Sequence, residues 1–334
     1  NALNVGRYKL AAACIGGSKL GLEKSMAYAV QRRQFGQPIA YFDAIKGKIS
    51  DMTVRIYAAD SMLYRTVGLI QDTIDELDKN DTEYYNKTGE ATERFAVEVS
   101  MAKVYGSETS NLVVDQSLQI LGGYGFTEEY PFARAYRDDR INRIWEGTSE
   151  INRAIITGYM MKKVLMEEIS LRDYLKSTDD FLAIEPPDFT EDIFQSERLA
   201  LESAKRLAAL VFQEALCEYG QDLKHEQQLS EALADIFTYI YTAESVISRA
   251  IQSQSSNEIP NMSTVIARIF TAESILNVKL LSNICLNKIY SEVIPETYQE
   301  TIVELESRMT LNTDTISLKQ SLADYMITKK DYPF

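Results

Sequence analysis

Helical periodicity runs through almost the entire sequence and constrains the fold more than any other feature. Between residues 95 and 113, and again between 201 and 215, small and apolar side chains recur every three or four positions. Side chains at this spacing share one face of an α-helix, whereas strands need a period of two. Because we find no convincing run of alternating residues, the sequence predicts an all-α fold. The predicted helices are 6–33, 42–74, 90–120, 148–168, 194–219, 229–253, 261–290 and 296–327, the last broken by a turn.

Two polar stretches interrupt this pattern. Residues 75–90 are acidic, and we interpret them as a loop between helices. Residues 170–196 contain Pro186-Pro187, and a proline pair cannot continue a helix. Since 334 residues exceed what one compact core usually absorbs, we place a domain boundary there. The predicted organisation is a helical domain at 1–168, a linker at 169–195 and a second helical domain at 196–334.

The overall charge argues against two classes of partner. The net charge is -14, whereas binding to a nucleic-acid backbone or to anionic lipid needs a basic surface. We identify no apolar run of the length of a membrane span, so we expect no transmembrane segment. Cys14, Cys217 and Cys285 are odd in number and far apart. This spacing favours reduced thiols in a cytosol-like compartment over disulfides or a metal site.

The single histidine excludes several mechanisms. His225 lies in a charged stretch before a helix, where a solvated surface position is expected. A Ser-His-Asp hydrolase needs a histidine in its pocket, and a zinc hydrolase usually needs two or more. Acid-base chemistry in this chain therefore depends on a carboxylate, a tyrosine or a lysine.

Glycines follow the third long helix directly, in the run Gly122-Gly123-Tyr124-Gly125. Glycine after a helix commonly forms a left-handed C-cap. Bare backbone also lets a large ligand approach closely. Both interpretations stay open on the residues alone. A Rossmann fingerprint is excluded, because no strand precedes the run and the glycine spacing is wrong.

One carboxylate stands out in the run from Ile144 to Ile151. Thr148 is a good N-cap for the next helix, and Glu150 suits the positive end of the helix dipole. Glu146 precedes the cap, between Trp145 and Gly147, where we expect a concave and partly apolar site. A glutamate near a helix start is ordinarily a surface residue that compensates the dipole, so both a structural and a catalytic role remain possible at this point.

Together these stretches resemble the C-terminal half of the acyl-CoA dehydrogenases. The resemblance rests on Gln119 through GGYGF, on Glu129-Tyr130-Pro131, on Tyr136-Arg137-Asp138 and on Glu146-Gly147-Thr148. It extends to Arg32-Arg33-Gln34-Phe35-Gly36-Gln37-Pro38-Ile39 near the N-terminus, and it covers about residues 3–165. The helical extension from about 170 is similar to that of very-long-chain-type members and their bacterial relatives. The resemblance implies a four-helix bundle of the acyl-CoA dehydrogenase C-terminal type, followed by a second helical bundle.

The resemblance also implies roles for individual residues. Glu146 matches the base that removes the α-proton of an acyl thioester, and Gly6 occupies the position where some members place that base. Asp43 departs from the family, where many members carry a glutamine that contacts adenine. The positions that match substrate contacts are Asn4, Arg7 and Gly147. The positions that match FAD contacts are Arg32, Gln34, Phe35, Gln119, Gly122, Gly123, Thr148, Ser149 and Glu150.

At the level of the whole protein, the resemblance implies FAD as cofactor, an acyl-CoA substrate, an electron-transfer flavoprotein as acceptor and a homodimer. The expected reaction is the α,β-dehydrogenation of long-chain fatty acyl-CoA in β-oxidation. The N-terminal helical domain and the middle β-domain of the family are absent from this sequence, so we expect the chain alone to be inactive. The alternatives are a relative of the acyl-CoA oxidases and a non-catalytic helical dimerisation module. We expect the bacterial cytoplasm as location, with the mitochondrial matrix open.

Overall fold

A computed structural model describes residues 2–184, 193–253, 261–291 and 294–334. Pro186 and Pro187 lie outside these described residues. The helices of the first half are α1 (Ala2–Gln31), α2 (Asp43–Asp75), α3 (Tyr84–Arg94), α4 (Ala96–Leu121), α5 (Gly123–Phe126), α6 (Pro131–Asp139) and α7 (Ser149–Leu165). Those of the second half are α8 (Leu171–Ala183), α9 (Gln195–Tyr219), α10 (Gln227–Gln252), α11 (Met262–Tyr290), α12 (Glu296–Arg308) and α13 (Thr315–Lys329). The predicted all-α fold is therefore confirmed.

Short elements complete the described chain. Strands β1 (Arg33–Gln34) and β2 (Gln37–Pro38) form an antiparallel hairpin, with Arg33 opposite Pro38. Each strand has only two residues, which is too short to show an alternating pattern in the sequence. The 3₁₀ helices are Ile39–Tyr41, Arg140–Arg143 and Gly220–His225.

Two predicted loops contain helices instead. Helix α3 begins inside the stretch 75–90, where the Asp81 carboxylate accepts a hydrogen bond from the Glu83 N–H at 2.8 Å. Phe95 has φ -101° and ψ 25°, and this departure from helical geometry separates α3 from α4. The stretch 170–196 contains α8, whose inward side chains Leu171, Tyr174, Thr178 and Phe181 follow a helical spacing. The flanking polar residues concealed this short periodicity.

The two halves pack around one continuous apolar core. Helices α1, α2, α4 and α7 form the first bundle, and α9 to α13 form the second. Helix α2 packs against α10 and α13, and α7 packs against α10. Polar contacts join the halves as well: Thr157 donates to the Ser230 carbonyl at 2.7 Å, and Arg153 binds Asp235 at 2.7 Å.

The last residues of the chain return to the first half. The Tyr332 N–H donates to the Glu23 carboxylate at 3.2 Å, and the Phe334 ring packs edge-on against Tyr57 with centroids 5.6 Å apart. Lys19 lies over the Tyr332 ring and binds the buried Asp60 carboxylate at 3.0 Å. The C-terminal segment is thus part of the interface between the two halves.

Helix α11 is long and apolar enough to cross a membrane, which the sequence analysis did not anticipate. The mean hydropathy of its most apolar window is 1.3, and 56% of that window is buried inside the protein. Its buried face packs against α9 and α10. Core helices pass the same length and hydropathy test, so the packing accounts for this composition.

A close approach of α1 and α4 sets the position of the site described next. A Cβ placed at Gly106 would lie 3.2 Å from the Ala11 Cβ and 3.3 Å from its Cα. Glycine at this position therefore lets the two helix backbones come together. Arg7 lies one turn before Ala11, and Lys103 lies one turn before Gly106, so both cations project toward the segment that precedes α7.

Candidate active site

The segment before α7 has an unusual backbone. Glu146 has φ +56° and Gly147 has φ +85°, so two successive residues are left-handed. Thr148 follows as the N-cap, and its hydroxyl accepts a hydrogen bond from the Ile151 N–H at 3.3 Å. A left-handed conformation is costly for a glutamate and persists only where surrounding contacts impose it.

Three side chains impose this conformation by binding the carbonyls of the segment. Arg7 donates from Nε to the Glu146 carbonyl at 3.1 Å. Lys103 donates to the Gly147 carbonyl at 2.8 Å, as does the Asn152 side-chain amide, also at 2.8 Å. Asn152 additionally binds the Thr148 carbonyl at 3.0 Å. Donors from α1, α4 and α7 therefore hold the backbone on either side of Gly147.

The Glu146 carboxylate lies directly over Gly6. A Cβ placed at Gly6 would lie 2.5 Å from the Glu146 Cδ and from both carboxylate oxygens. Any larger residue at position 6 would have to displace the carboxylate. The structure thus brings together the two positions that the resemblance singled out for the base, and this chain carries a single carboxylate between them.

Two buried cations lie on the protein side of the segment that carries this carboxylate, and they bind its backbone carbonyls. Arg7 is 6% exposed and Lys103 is fully buried. Burial lowers the pKa of Arg7, and the nearby Glu146 charge partly offsets that effect. Burial lowers the pKa of Lys103 as well. On the solvent side, Ile144 and Trp145 are about half exposed, so the carboxylate lies at the edge of an apolar surface.

A second constellation lies at the opposite end of α4. Arg32, Gln34, Gly122 and Gly123 line one groove, with a volume of about 520 Å³, although they are far apart in sequence. The Arg32 guanidinium lies over the Tyr124 ring, 5.7 Å from its centroid. Gly122 has φ +59°, and a Cβ at Gly122 or Gly123 would meet no atom within 4 Å. The backbone there is open to a ligand.

Phe35 and Gln119 lie outside this groove. Phe35 is at the turn of the β1–β2 hairpin with φ +49°, followed by Gly36 with φ +86°. Its ring is 93% exposed, with an edge-on contact to Phe42 at 6.1 Å. The Gln119 side chain is exposed, while its carbonyl accepts the Gly122 N–H at 3.1 Å.

Thr148, Ser149 and Glu150 are not part of that groove. They form the N-cap and first residues of α7 beside Lys103, and Lys103 is about 28 Å from Gly122, the C-cap of α4, at 1.5 Å per residue. Ser149 is 5% exposed, and its hydroxyl has no hydrogen-bond partner among the described residues. The pKa of Glu150 is lowered because its carboxylate accepts its own backbone N–H and the Thr148 hydroxyl. The predicted FAD positions thus form two separate half-sites in one chain.

The residues predicted for substrate contact lie beside Glu146. Asn4 is buried, and its Oδ1 accepts a hydrogen bond from Arg7 at 2.8 Å. Arg7 and Gly147 both take part in the contacts that hold the loop. Asp43, where the sequence departs from the family, accepts a hydrogen bond from the Gln320 amide at 2.8 Å, so α13 supplies an amide group beside this position.

Comparison with known proteins decides the family. Two family models, both described as acyl-CoA dehydrogenase C-terminal domain, match residues 1–161 and 203–292. A probable acyl-CoA dehydrogenase of Bacillus subtilis is 40% identical over 77% of this chain and 44% of the relative. An acyl-CoA dehydrogenase of Bacillus anthracis, solved with FAD, has a TM-score of 0.93 and 31% identity over 99% of this chain and 57% of that one. This chain belongs to the acyl-CoA dehydrogenase family.

The relatives are longer than this chain. It spans about half the length of the relatives just described. A further relative, the CarC subunit of a caffeyl-CoA reductase–Etf complex from Acetobacterium woodii, is 37% identical over 48% of this chain and 38% of its own length. The acyl-CoA dehydrogenase family therefore includes reductase components as well as dehydrogenases.

Lys103 and Asn152, which bind the Gly147 carbonyl in this acyl-CoA dehydrogenase family member, were not predicted from the sequence. Lys103 is the charged residue in Ser100-Met-Ala-Lys-Val-Tyr-Gly106, a segment of small and apolar residues that the structure buries. A lysine on a buried helix segment is rare unless it is paired, and this contrast is the signal that identifies it.

Proposed function

We propose that this chain is the part of a flavin-dependent acyl-CoA dehydrogenase that supplies the catalytic base, Glu146. One observation carries the proposal: the Glu146 carboxylate is held over Gly6 by a left-handed backbone whose carbonyls bind Arg7, Lys103 and Asn152. A base must be placed to within a fraction of an ångström of the proton that it removes. The strained backbone at Glu146 and the buried donors that hold it are consistent with that requirement.

FAD fits the residues of the two half-sites. The open backbone at Gly122 and Gly123 admits a bulky ligand, and Arg32 offers a positive charge beside it. At the other half-site, the buried Ser149 hydroxyl lacks a partner within the described ranges, so a bound ligand can supply one. Because the half-sites of one chain are far apart, we propose that FAD is shared across a two-fold homodimer.

In the proposed reaction, FAD held by the two half-sites would supply the acceptor for the β-hydride of a fatty acyl-CoA. Glu146 accepts the α-proton, so the C–H bonds at both carbons break and a double bond forms between them. The Glu146 N–H donates to the thioester oxygen, which gains negative charge as the proton leaves. Trp145 and Ile144 provide an apolar border that limits water at the carboxylate.

The whole protein would act in fatty acid β-oxidation, with long-chain acyl-CoA as substrate and an electron-transfer flavoprotein as acceptor. The relative that belongs to a reductase–Etf complex supports such an acceptor. The chain by itself lacks the remaining half of its relatives' length, so we propose that it neither retains FAD nor turns over substrate.

The test uses the complete protein. Glu146→Gln keeps the size of the side chain but removes the base, and we expect kcat to fall by about 10³-fold or more. Glu168→Gln, at an exposed glutamate after α7, is the matched control and should leave kcat unchanged. Turnover that survives Glu146→Gln would refute the role of Glu146. Hydrogen peroxide release without reduction of an electron-transfer flavoprotein would indicate an oxidase instead.

A further inference from the structure

Lys103 is a buried cation whose acceptor is a backbone carbonyl. Its side chain is 0% exposed, and its ammonium donates to the Gly147 carbonyl at 2.8 Å. Lys103 forms no ion pair with a carboxylate in the part of the chain that the structure describes. Glu108 and Glu150 exert only a longer-range attraction, and the proximity of Arg7 opposes it.

A buried ammonium without an ion-pair partner destabilises the fold, because it loses its hydration. Apolar residues of similar volume often replace buried charges without loss of stability. The neighbours of Lys103 along the buried face of α4 are small or apolar, so methionine would suit the packing. The polar contact with Gly147 is what an apolar residue could not provide.

The same face of α4 holds the segment at a second point. Ser110, two turns after Lys103, donates to the Asp139 carboxylate at 2.6 Å. Asp139 ends α6 and Gly147 precedes α7, so α4 fixes both ends of the intervening segment that contains Glu146. Helix α4 thus serves as a rigid reference against which the carboxylate is placed.

Loss of the Lys103 contact would act on the backbone at Glu146. The left-handed φ angle at Glu146 is strained and depends on external donors, whereas Gly147 adopts its positive φ without strain. Asn152 would still bind the Gly147 carbonyl, but it belongs to α7 and moves with the loop. Among the residues that the structure describes, Lys103 alone connects this carbonyl to α4.

We propose that Lys103 is a positioning residue for Glu146, which fixes the position of the base by binding the Gly147 carbonyl. The inference deepens the proposed function and rests on it, since Glu146 must be the base for its position to affect turnover. The loop geometry itself can be tested independently of turnover.

The first experiment compares hydrogen exchange in this 334-residue chain with and without Lys103→Met. We expect faster exchange in peptides that cover residues 144–152 and unchanged exchange in peptides from α10 and α11. Lys163→Met is the matched control, because Lys163 also donates to a backbone carbonyl, that of Arg94, but at the surface. It should leave the exchange of residues 144–152 unchanged.

The second experiment measures steady-state kinetics of the complete protein. We expect Lys103→Met to lower kcat by about 10- to 100-fold while KM for acyl-CoA changes little, because a misplaced base affects the chemical step more than binding. Lys163→Met should leave both constants unchanged. Unchanged loop exchange, or unchanged kcat in a protein that Glu146→Gln inactivates, would overturn the proposal.

A second variant guards against misfolding. If methionine prevents folding, Lys103→Gln is measured in the same two ways. Glutamine keeps a polar end, but its amide N–H lies one bond closer to the backbone than the lysine ammonium and should not reach the Gly147 carbonyl, so we expect changes in the same directions. Failure to fold with both methionine and glutamine would also overturn the proposal, because Lys103 would then support the whole fold. If Glu146→Gln retains full turnover while Lys103→Met loosens the loop, the proposed function fails and the geometric inference survives.

Discussion

The Glu146 carboxylate occupies the space that a side chain at Gly6 would need, with 2.5 Å between a Cβ at Gly6 and the Glu146 Cδ. We therefore expect Gly6→Ala to push the carboxylate away and to lower kcat of the complete protein by about 10-fold or more. The fold should persist, since the obstructing atoms are the end of a side chain. Steady-state kinetics and thermal unfolding measure the two effects.

Gly16 and Gly17 provide the control on the same helix. A Cβ at either position would meet no atom within 4 Å. Alanine there should keep kcat and stabilise α1 by about 0.5–1 kcal/mol. Equal kcat for Gly6→Ala and the unchanged protein would show that the carboxylate moves without consequence.

Asp235 connects the second half to the helix that follows the candidate base. It binds Arg153 of α7 at 2.7 Å, while Glu108 of α4 binds the same guanidinium at 2.9 Å. Asp235→Ala should lower the free energy of unfolding by about 1–3 kcal/mol, since Arg153 is mostly buried and loses one of two partners. Urea titration measures the change.

The exposed pair between Lys176 and Asp173 is the matched control, with side chains 77% and 75% exposed. Asp173→Ala should cost less than about 1 kcal/mol. Equal losses for the two variants would mean that the Arg153 contacts add nothing beyond a surface ion pair.

Phe35 has a left-handed backbone and a ring that is 93% exposed. Phe35→Asn keeps a residue that tolerates this backbone but removes the ring. We expect the thermal midpoint of the chain to stay nearly constant. In the complete protein, FAD affinity should fall about five-fold or more, because the proposed stacking on the neighbouring subunit's cofactor is lost.

Flavin fluorescence titration measures this affinity. Tyr85→Asn removes another exposed ring, on α3, and should leave FAD binding unchanged. If both variants bind FAD like the parent protein, Phe35 has no contact with the cofactor.

Alkaline pH should destabilise the fold through two buried thiols. Burial raises the pKa of Cys14 and Cys285 to about 12, whereas an unperturbed thiol ionises near 9.0. The folded protein keeps protons that the unfolded chain loses, so this stability is complete below pH 9 and is lost as the pH rises towards 12. The two thiols together lower the free energy of unfolding by about 2.7 kcal/mol for each pH unit of increase in that window.

Urea unfolding at several pH values between 8.5 and 11 measures the slope. Cys14→Ala combined with Cys285→Ala should make the decline shallower, while Cys217→Ala, at an exposed thiol, should not. Identical slopes for all three proteins would contradict the assignment of these protons to the buried thiols.

Much of the fold could be predicted because its long helices show their periodicity directly. Helix α10 buries residues at intervals of three and four from Leu229 to Ala250, so its apolar spacing is visible. Helices α3 and α8 escaped prediction because only two residues of each are buried and polar neighbours surround them. The break in the last helix was expected, and α12 and α13 confirm it.

The candidate site was predictable only in part. Glu146 and Thr148 lie in a short motif, and motifs are visible in a sequence. Lys103 and Asn152 bind a backbone carbonyl, a group that every residue carries. The residue type at Gly147 therefore gives no sign of which side chains bind there. The left-handed angle at Glu146 is likewise imposed by tertiary contacts, against the intrinsic preference of glutamate.

The contact between Tyr332 and Glu23 has a consequence for how the molecule assembles. It joins residues 309 positions apart, and the Phe334 ring covers Tyr57 in the same region. Contacts of such long range are slow to form, because closing a long loop costs entropy before the contact repays it. During synthesis, this surface of the first bundle stays uncovered until residues 331–334 have been made. The packing of the first half is therefore completed only after these residues have left the ribosome.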